Sequence, residues 1–303
     1  MRILISGASG LIGTALVELL KAERDLPVPL VRSTPRPGSL AVRWDPASGV
    51  LPAAELEGYD AVVHLAGEGV AGGRWNAARK ERIRRSRVEG TGLLCRTLAT
   101  LRHPPGTLVC ASAIGYYGDR GDEDLVEESG PGADFLAGVV AEWEAAADPA
   151  RAAGIRVVHL RLGQVLSPSG GALARMLLPF RLGLGGRVGS GRQYWSWISL
   201  NDAVAAARHC LVSDGLRGPV NGTAPEPVTN AEFARALGRA LRRPALLPVP
   251  AAVVRLLFGE MGQALLLGSA RVLPRRLLAA GYAFAHPTLD RAFGDMLHPD
   301  LQG

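Results

Sequence analysis

The chain has 303 residues, 48% of them hydrophobic and 20% charged, with a net charge of +6 and a pI near 9.7. This length is ample for a buried core and fits one large α/β domain, or such a domain with a smaller companion. The positive charge comes from scattered arginines, and the densest cluster, at 79–87, lies in a helical pattern typical of a solvated face. No aromatic platform accompanies that charge, so we expect no nucleic-acid partner.

Cysteine and histidine patterns exclude two further classes. Cys95, Cys110 and Cys210 lie far apart in apolar surroundings, which argues against a disulfide framework and favours a reducing compartment. The histidines are dispersed without ligand spacing, so we expect no metal site. The first strand begins at Met1, which predicts no signal peptide, and apolar runs end before about 18 residues, which predicts no membrane span. We therefore expect a cytoplasmic protein without a membrane partner; the oligomeric state is open, a homodimer included.

Short apolar runs alternate with helical patterns, which predicts a Rossmann-type, doubly wound parallel α/β sheet. The predicted strands are residues 2–6, 28–31, 61–65, 107–111, 156–160 and 220–222. The predicted helices are residues 11–22, 76–101, 135–153, 172–180, 203–212 and 229–242. Thr229 and Glu232 have the spacing of a capping box. We predict a Rossmann domain at 1–165, to which 195–225 return, and a smaller, mostly helical substrate-side domain at 166–194 and 226–303.

The stretch GASGLIG at residues 7–13 joins the first strand to the first helix. Gly7 permits a tight turn, Gly10 lets a pyrophosphate approach the backbone, and Gly13 allows close packing. The backbone at this helix start faces an anion. We therefore predict dinucleotide contacts from these three glycines and from their neighbours in the same turn, Ser9, Leu11 and Ile12. The alternative is a glycine-rich turn without a ligand.

The end of the second strand indicates which dinucleotide is bound. Binders of NAD usually carry an acid here, but this chain has Arg32 and Ser33. A guanidinium and a hydroxyl suit a 2′-phosphate, which predicts NADP in preference to NAD. If Arg32 is an ordinary surface residue, the cofactor is NAD. Small residues after the third predicted strand, in Leu65-Ala66-Gly67, predict contact with the adenosine half, although they are equally typical of a plain turn.

These motifs, with VVHLAG at 62–67 and CASAIGYYG at 110–118, resemble the extended short-chain dehydrogenase/reductase family. The strings EWEAAA, MLLPFRLGLGG and GSGRQYWSWI further resemble its "epimerase family" branch, whose members are often labelled nucleoside-diphosphate-sugar epimerases. The resemblance covers nearly the whole chain. It implies an NADP-binding Rossmann domain, a small C-terminal domain, and a cofactor contact at Arg87. It also implies that Arg161 fixes the loop beside the nicotinamide, which Gln164 or the Val165 backbone contacts.

The catalytic residues of that family are only partly present. Its members use a serine and a YxxxK unit, whereas the corresponding helix here has Phe135 and Val139. The two lysines of the chain, Lys21 and Lys80, lie in other predicted helices. Ser112, at the serine position, and Tyr116 are the remaining candidates for polarising a carbonyl, with no cation expected near Tyr116. A hydrogen-bonded serine at a strand end is the alternative for Ser112.

Substrate contacts are predicted from Tyr117, Arg192 and Trp195. Trp195 stands where the resemblance implies a diphosphate-binding arginine, so an aromatic or apolar ligand fits better than a nucleotide sugar. Packing between domains is an equal alternative for Trp195 and Trp197. Two functions follow: an NADP-dependent oxidoreductase or epimerase-like enzyme on an unidentified small molecule, or a non-catalytic NADP-binding redox sensor or regulator.

Overall fold

A computed structural model describes residues 1–298. The strands are β1 Arg2–Ser6, β2 Leu26–Val31, β3 Val42–Arg43, β4 Ala61–His64, β5 Thr107–Ala113, β6 Asp124–Leu125, β7 Arg156–Leu162, β8 Gln164–Ser167, β9 Tyr194–Trp195, β10 Trp197–Ser199, β11 Gly218–Gly222, β12 Val228–Thr229 and β13 Arg271–Val272. The α-helices are α1 Leu11–Ala22, α2 Ala77–Leu98, α3 Phe135–Ala145, α4 Asp148–Ala152, α5 Gly171–Arg181, α6 Leu200–Val212, α7 Asn230–Ala240, α8 Ala251–Gly262, α9 Arg275–Ala279 and α10 Leu289–Leu297.

Seven parallel strands form the central sheet in the order β11-β7-β5-β4-β1-β2-β3. The chain runs outward from β1 to β2 and β3 on one side, and from β4 to β11 on the other. In such a sheet the ligand crevice lies at the carboxyl ends of the strands, where the order reverses, here between β1 and β4. The predicted Rossmann-type fold is confirmed, and its crevice falls at the glycine turn.

The core lies on both faces of this sheet. Ile3 and Ile5 of β1 pack into the layer formed with α1 and α6, whereas Leu4 between them packs into the opposite layer. Alternate side chains of a strand point to opposite faces, so an uninterrupted apolar strand is the expected sequence for a sheet covered on both sides. A third cluster, around Trp197 and Phe233, fills the C-terminal region.

Two element predictions need correction. The single helix predicted at 135–153 is wrong, because it divides into α3 and α4. Pro149 lies in the first turn of α4, where its missing N–H leaves no bond unmade, but it cannot continue a preceding helix. The two-residue strand β3 was not predicted, and neither were β6, β8, β9, β10, β12 and β13. By contrast, Thr229 and Glu232 form the predicted capping box of α7.

The C-terminal region is mostly helical and is tied to the sheet layer by Asp202. This carboxylate of α6 is 1% exposed and accepts hydrogen bonds from the backbone N–H groups of Ala285 and His286 and from the hydroxyl of Tyr282. The strand predicted at 220–222 joins the sheet as β11 beside β7. The domain division itself remains a prediction. Across residues 1–298, no helix is both long and apolar enough to span a bilayer.

Candidate functional site

The glycine turn between β1 and α1 lies against the end of β4. Gly7 has φ +70°, and a Cβ on it would lie 2.8 Å from the carbonyl carbon of Leu65. A Cβ on Gly13 would lie 2.1 Å from the carbonyl oxygen of Gly7. Both distances are below van der Waals contact, so these two positions require glycine. Gly10 caps α1 without a side-chain hydrogen bond, which leaves the backbone at the start of α1 free of a competing side chain.

Other residues predicted to contact the dinucleotide surround this turn. Ser9 is exposed, and Leu11 and Ile12 are half-buried in the first turn of α1. A Cβ on Gly170 would lie 3.2 Å from Leu11 Cδ1, so the connection from β8 to α5 crosses over the same turn. Val165 belongs to β8, and the neighbouring Gln164 carries a buried side-chain oxygen without a hydrogen-bond partner among residues 1–298.

Arg32 and Ser33 follow β2 directly, and both are exposed. Among the residues that the structure describes, Arg32 makes no hydrogen bond or ion pair with a side chain. An unpaired guanidinium at the carboxyl edge of the sheet is free to bind an external anion.

Arg87 of α2 meets the segment after β4. Its Nη1 donates to the carbonyl of Glu68 at 2.9 Å, and its guanidinium lies 5.0 Å from the Trp143 ring centroid. Burial lowers the pKa of Arg87 to about 10, which leaves it charged at neutral pH. Gly67 lies beside it, where an added Cβ would be 3.5 Å from the guanidinium carbon. The structure therefore brings Arg87 together with the end of β4.

A buried histidine that sequence reasoning missed supports this edge. Ser6 Oγ accepts the N–H groups of Leu65 and Ala66, at 3.1 and 3.2 Å, and lies 2.6 Å from His64 Nδ1. With both lone pairs used, the hydroxyl proton goes to Nδ1, so Nε2 carries the ring proton and donates to Thr91 Oγ1 at 2.9 Å. Burial lowers the pKa of His64 to about 4. The one available signal was the position of His64 in a continuous apolar strand.

Ser112 is 3% exposed, and its hydroxyl donates to Glu144 Oε1 at 2.6 Å. Glu144 also receives two hydrogen bonds of 2.8 Å from Arg161, one to each oxygen. Burial by itself raises the pKa of Glu144, but the bonds and charge of Arg161 outweigh it and hold the pKa below the usual range. Glu144 in turn raises the pKa of Arg161 despite burial. Ser112 is therefore held in a buried ionic cluster, as in the alternative of a hydrogen-bonded serine at a strand end.

The two neighbouring tyrosines differ in exposure. Tyr116 is half-buried, and the guanidinium of Arg161 lies 3.5 Å from its ring centroid, so the expectation that no cation lies nearby is wrong. Tyr117 is 0% exposed; its hydroxyl accepts from Arg161 and donates to Asn221 Oδ1 at 2.7 Å. No part of the Tyr117 side chain reaches the surface in this conformation, and its predicted substrate contact stays a prediction. Arg161 holds Tyr117 and Glu144, and its predicted role in fixing the loop beside the nicotinamide stays a prediction.

A cavity of about 420 Å³ lies beside these groups. It is lined by Tyr116, Glu127, Glu144, His159 and Arg161, among others. Burial lowers the pKa of His159 to about 4, so this imidazole is neutral near pH 7. Across residues 1–298, no group of three or more His, Cys, Asp or Glu side chains has the arrangement of a metal site.

The amino end of α3 contains an unexpected lysine contact. Phe135 opens the helix, and Val139 one turn later is buried. Lys80 of α2 lies 4.8 Å from the centroid of the Phe135 ring and forms an ion pair of 2.6 Å with Glu260 of α8. Trp75 packs edge-on against the same ring at 5.4 Å. The contacts of Lys80 depend on how α2, α3 and α8 pack together. The local sequence pattern therefore does not predict them.

The other two residues predicted to contact the substrate, Arg192 and Trp195, differ in burial. Arg192 is exposed, whereas Trp195 is 3% exposed and packs against Phe233 at 5.2 Å between ring centroids. Trp197 is fully buried in the same cluster. The packing alternative thus describes both tryptophans, although the buried Nε1 of Trp195 has no hydrogen-bond partner within the described part of the chain.

Comparisons with known proteins agree with this architecture. Residues 3–220 match the model of the "NAD dependent epimerase/dehydratase family", and residues 249–296 match a "Domain of unknown function (DUF1731)". The chain is 45% identical to the epimerase family protein Mb2239 of Mycobacterium bovis over 290 residues, 96% of this chain and 95% of that protein. It is 41% identical to the human epimerase family protein SDR39U1 over 303 residues, 98% of this chain and all of that protein.

Among solved structures, the fold is similar to the crystal structure of human SDR39U1 (isoform 2) with NADPH. The TM-score is 0.88 at 39% sequence identity, covering 98% of this chain and 99% of that one. The fold with a seven-stranded parallel sheet and a helical C-terminal region is thus shared with a solved structure along nearly the whole chain.

Proposed function

This chain belongs to the NAD dependent epimerase/dehydratase family, and we propose that it binds NADP(H) as an oxidoreductase or epimerase-like enzyme acting on a small molecule. The observation that carries the proposal is the glycine turn at the crevice. A Cβ at Gly7 or Gly13 would collide with backbone, so both glycines are needed for this tight turn, and Gly10 leaves the start of α1 without a side-chain cap. Such a cradle at a helix start fits a pyrophosphate.

The remaining cofactor contacts follow from this placement. Arg32 and Ser33 would bind the 2′-phosphate, since Arg32 is exposed at the end of β2 and has no side-chain partner among residues 1–298. Arg87 and the Leu65-Ala66-Gly67 segment would contact the adenosine half of the cofactor. The buried, unpartnered oxygen of Gln164, next to Val165, offers an acceptor for an amide donor. The human relative crystallised with NADPH supports the phosphorylated cofactor over NAD.

When bound, NADP(H) supplies hydride transfer, and the protein supplies orientation and a proton. We assign the proton to Tyr116, whose half-buried ring lies beside the Arg161 guanidinium and next to the cavity. Ser112 is a positioning residue here, because its hydroxyl holds Glu144, which in turn holds Arg161. The free, buried thiols of Cys95, Cys110 and Cys210 support a cytoplasmic location.

A specific observation favours a second candidate, a non-catalytic NADP(H)-binding sensor. Phe135 and Val139 stand at the positions where the family resemblance implies the catalytic tyrosine and lysine, and neither side chain can carry a proton. A protein of this kind would bind the cofactor without turnover. Its own interactions would change according to the redox state of the bound cofactor.

Calorimetric titration of the purified protein with NADPH and with NADH tests the cofactor. We expect tighter binding of NADPH, and Arg32→Asp should weaken NADPH binding at least tenfold while sparing NADH. Arg36→Asp, an exposed arginine in the same loop, is the matched control and should change neither affinity. If neither nucleotide binds the wild type, the proposal fails; if Arg32→Asp weakens both equally, Arg32 does not read the phosphate.

Oxidation of NADPH with a panel of carbonyl compounds separates the two candidates. Turnover that Tyr116→Phe abolishes, with the NADPH affinity unchanged, supports the enzyme. Binding of NADPH without turnover across the panel favours the sensor.

A further inference from the structure

An exposed apolar surface lies at the end of α5 and along the chain that leads into α8. The chain leaving α5 runs beside the chain entering α8: Leu247 N–H donates to the carbonyl of Gly185 at 3.2 Å, and Val249 N–H donates to that of Arg187 at 2.8 Å. The end of α5 and the start of α8 are thereby held side by side. We call the surface formed by residues 178–184 and 246–258 the leucine surface.

This surface is unusually apolar for one that faces water. Among residues 1–298, sixteen large hydrophobic side chains are exposed, and ten of them belong to the leucine surface. These ten are Leu178, Leu182, Leu184, Leu246, Leu247, Val249, Val253, Leu256, Leu257 and Phe258. Leu246 is 81% and Leu256 73% exposed, so packing within the chain does not use them. A concentration of this kind marks an interaction surface rather than scattered surface residues.

The two stretches that contribute the leucine surface are rich in arginine and free of acid, and the exposed carboxylate that follows them on α8, Glu260, is already paired with Lys80. The sequence contains no Asp or Glu at 149–201 or at 233–259, the two stretches that contribute the surface. Four arginines of these stretches are exposed at its margin: Arg181, Arg242, Arg243 and Arg255. Within the described part of the chain, none of the four forms an ion pair with a carboxylate. A partner that covers the leucine surface must therefore present both apolar groups and negative charge.

We infer that the leucine surface docks peripherally on an anionic lipid bilayer. Leucines entering the boundary of the acyl chains beside arginines at the headgroups match the composition of interfacial membrane segments. A second copy of this chain fits poorly, because it would bring the same arginines and no acid from these stretches. Nucleic acid would satisfy the arginines but would leave ten apolar side chains without apolar contact.

Sequence reasoning predicted no membrane partner, and the reason for the difference is the assembly of the surface. The apolar residues come from two stretches more than sixty positions apart, each short and broken by proline or glycine. A search for a continuous apolar span therefore finds neither. The docking inferred here is parallel to the bilayer plane and requires no spanning helix.

Flotation of the full chain with lipid vesicles tests the inference. The probes are vesicles of phosphatidylcholine alone and of phosphatidylcholine mixed with phosphatidylglycerol, at low and at high salt. We expect the protein to float with the anionic vesicles at low salt, with on the order of tenfold less bound to neutral vesicles or at high salt. The double variants Leu256→Glu/Leu257→Glu and Arg242→Glu/Arg243→Glu should each reduce binding on the order of tenfold.

Matched controls lie outside the surface. Leu40→Glu changes another exposed leucine, at 65% exposure, and Arg102→Glu changes an exposed arginine remote in sequence. Both should float like the wild type, with melting temperatures of all variants compared to exclude misfolding. Absence of flotation with anionic vesicles would overturn the inference. So would equal loss in the controls, or a dimer in light scattering that Leu256→Glu/Leu257→Glu converts to monomer.

Discussion

Acid should destabilise this protein through His64, the imidazole buried between Ser6 and Thr91. Folding holds this ring neutral, since burial lowers its pKa from 6.5 to about 4. Below the unfolded value of 6.5 the unfolded chain binds a proton that the folded chain does not. The contribution of neutral His64 to the free energy of unfolding is therefore fully present above that pH. It is lost as the pH falls from 6.5 towards 4.

The size of the effect follows from the two pKa values. When the pH falls from about 7 to about 5, one histidine with these two pKa values lowers the free energy of unfolding by about 2 kcal/mol. His159, whose pKa is also lowered to about 4, contributes in the same direction. His64→Gln removes the share of His64 and leaves that of His159. It also costs about 1–3 kcal/mol at neutral pH, because the buried Ser6 and Thr91 hydroxyls lose their hydrogen bonds to the imidazole.

Urea unfolding at the two pH values measures both quantities. The prediction concerns the change with pH, since the loss at neutral pH would follow from almost any core substitution. In His64→Gln the pH-dependent loss should be smaller than in the wild type by about 2 kcal/mol. His103→Gln, at a side chain that is 82% exposed, controls for loss of an imidazole. If His64→Gln keeps the full pH dependence, the neutral, buried tautomer described above is incorrect.

Substitutions at three further positions test other parts of the structure. Gly13→Ala would place a Cβ 2.1 Å from the Gly7 oxygen, so we expect a loss of about 1–3 kcal/mol in urea unfolding and weaker NADPH binding by calorimetry. Glu144→Gln leaves the buried Arg161 without its counter-charge and should cost about 3 kcal/mol in the same unfolding assay. Thr229→Ala removes the cap of α7 and should cost about 1 kcal/mol, whereas Thr229→Ser should restore most of it.

The sequence predicted the sheet well because its signals are local. Most strands of the Rossmann half contain a short apolar run, and a glycine turn or a capping residue marks the start of several of the helices. The capping box at Thr229 is such a signal. The misread helix at 135–153 shows the limit, since the apolar periodicity continues across the break and Pro149 alone marks the new start.

The site was less predictable, because its contacts join distant parts of the chain. The glycine turn and Arg32 lie near strand ends and could be found from spacing. By contrast, Glu144 reaches Ser112 across 32 positions, and Lys80 reaches Phe135 from another helix. Neither contact can be predicted from the sequence pattern around the residues that form it. The burial of Tyr117 likewise depends on Asn221, more than a hundred positions later.

The arrangement along α3 limits where a proton for the reaction can originate. Its amino end carries Phe135 and Val139, which have no proton to exchange, and its carboxyl end carries Glu144, already bound by Ser112 and Arg161. Because Arg161 holds Glu144 through two hydrogen bonds, releasing that carboxylate would leave a buried guanidinium unpaired. In the proposed reaction the donor is therefore none of these three side chains, and Tyr116 combines partial exposure with a position beside the cavity. The charged cluster thus supports the proposed site through position and charge, while Phe135, Val139 and Glu144 stay out of the proposed proton transfer.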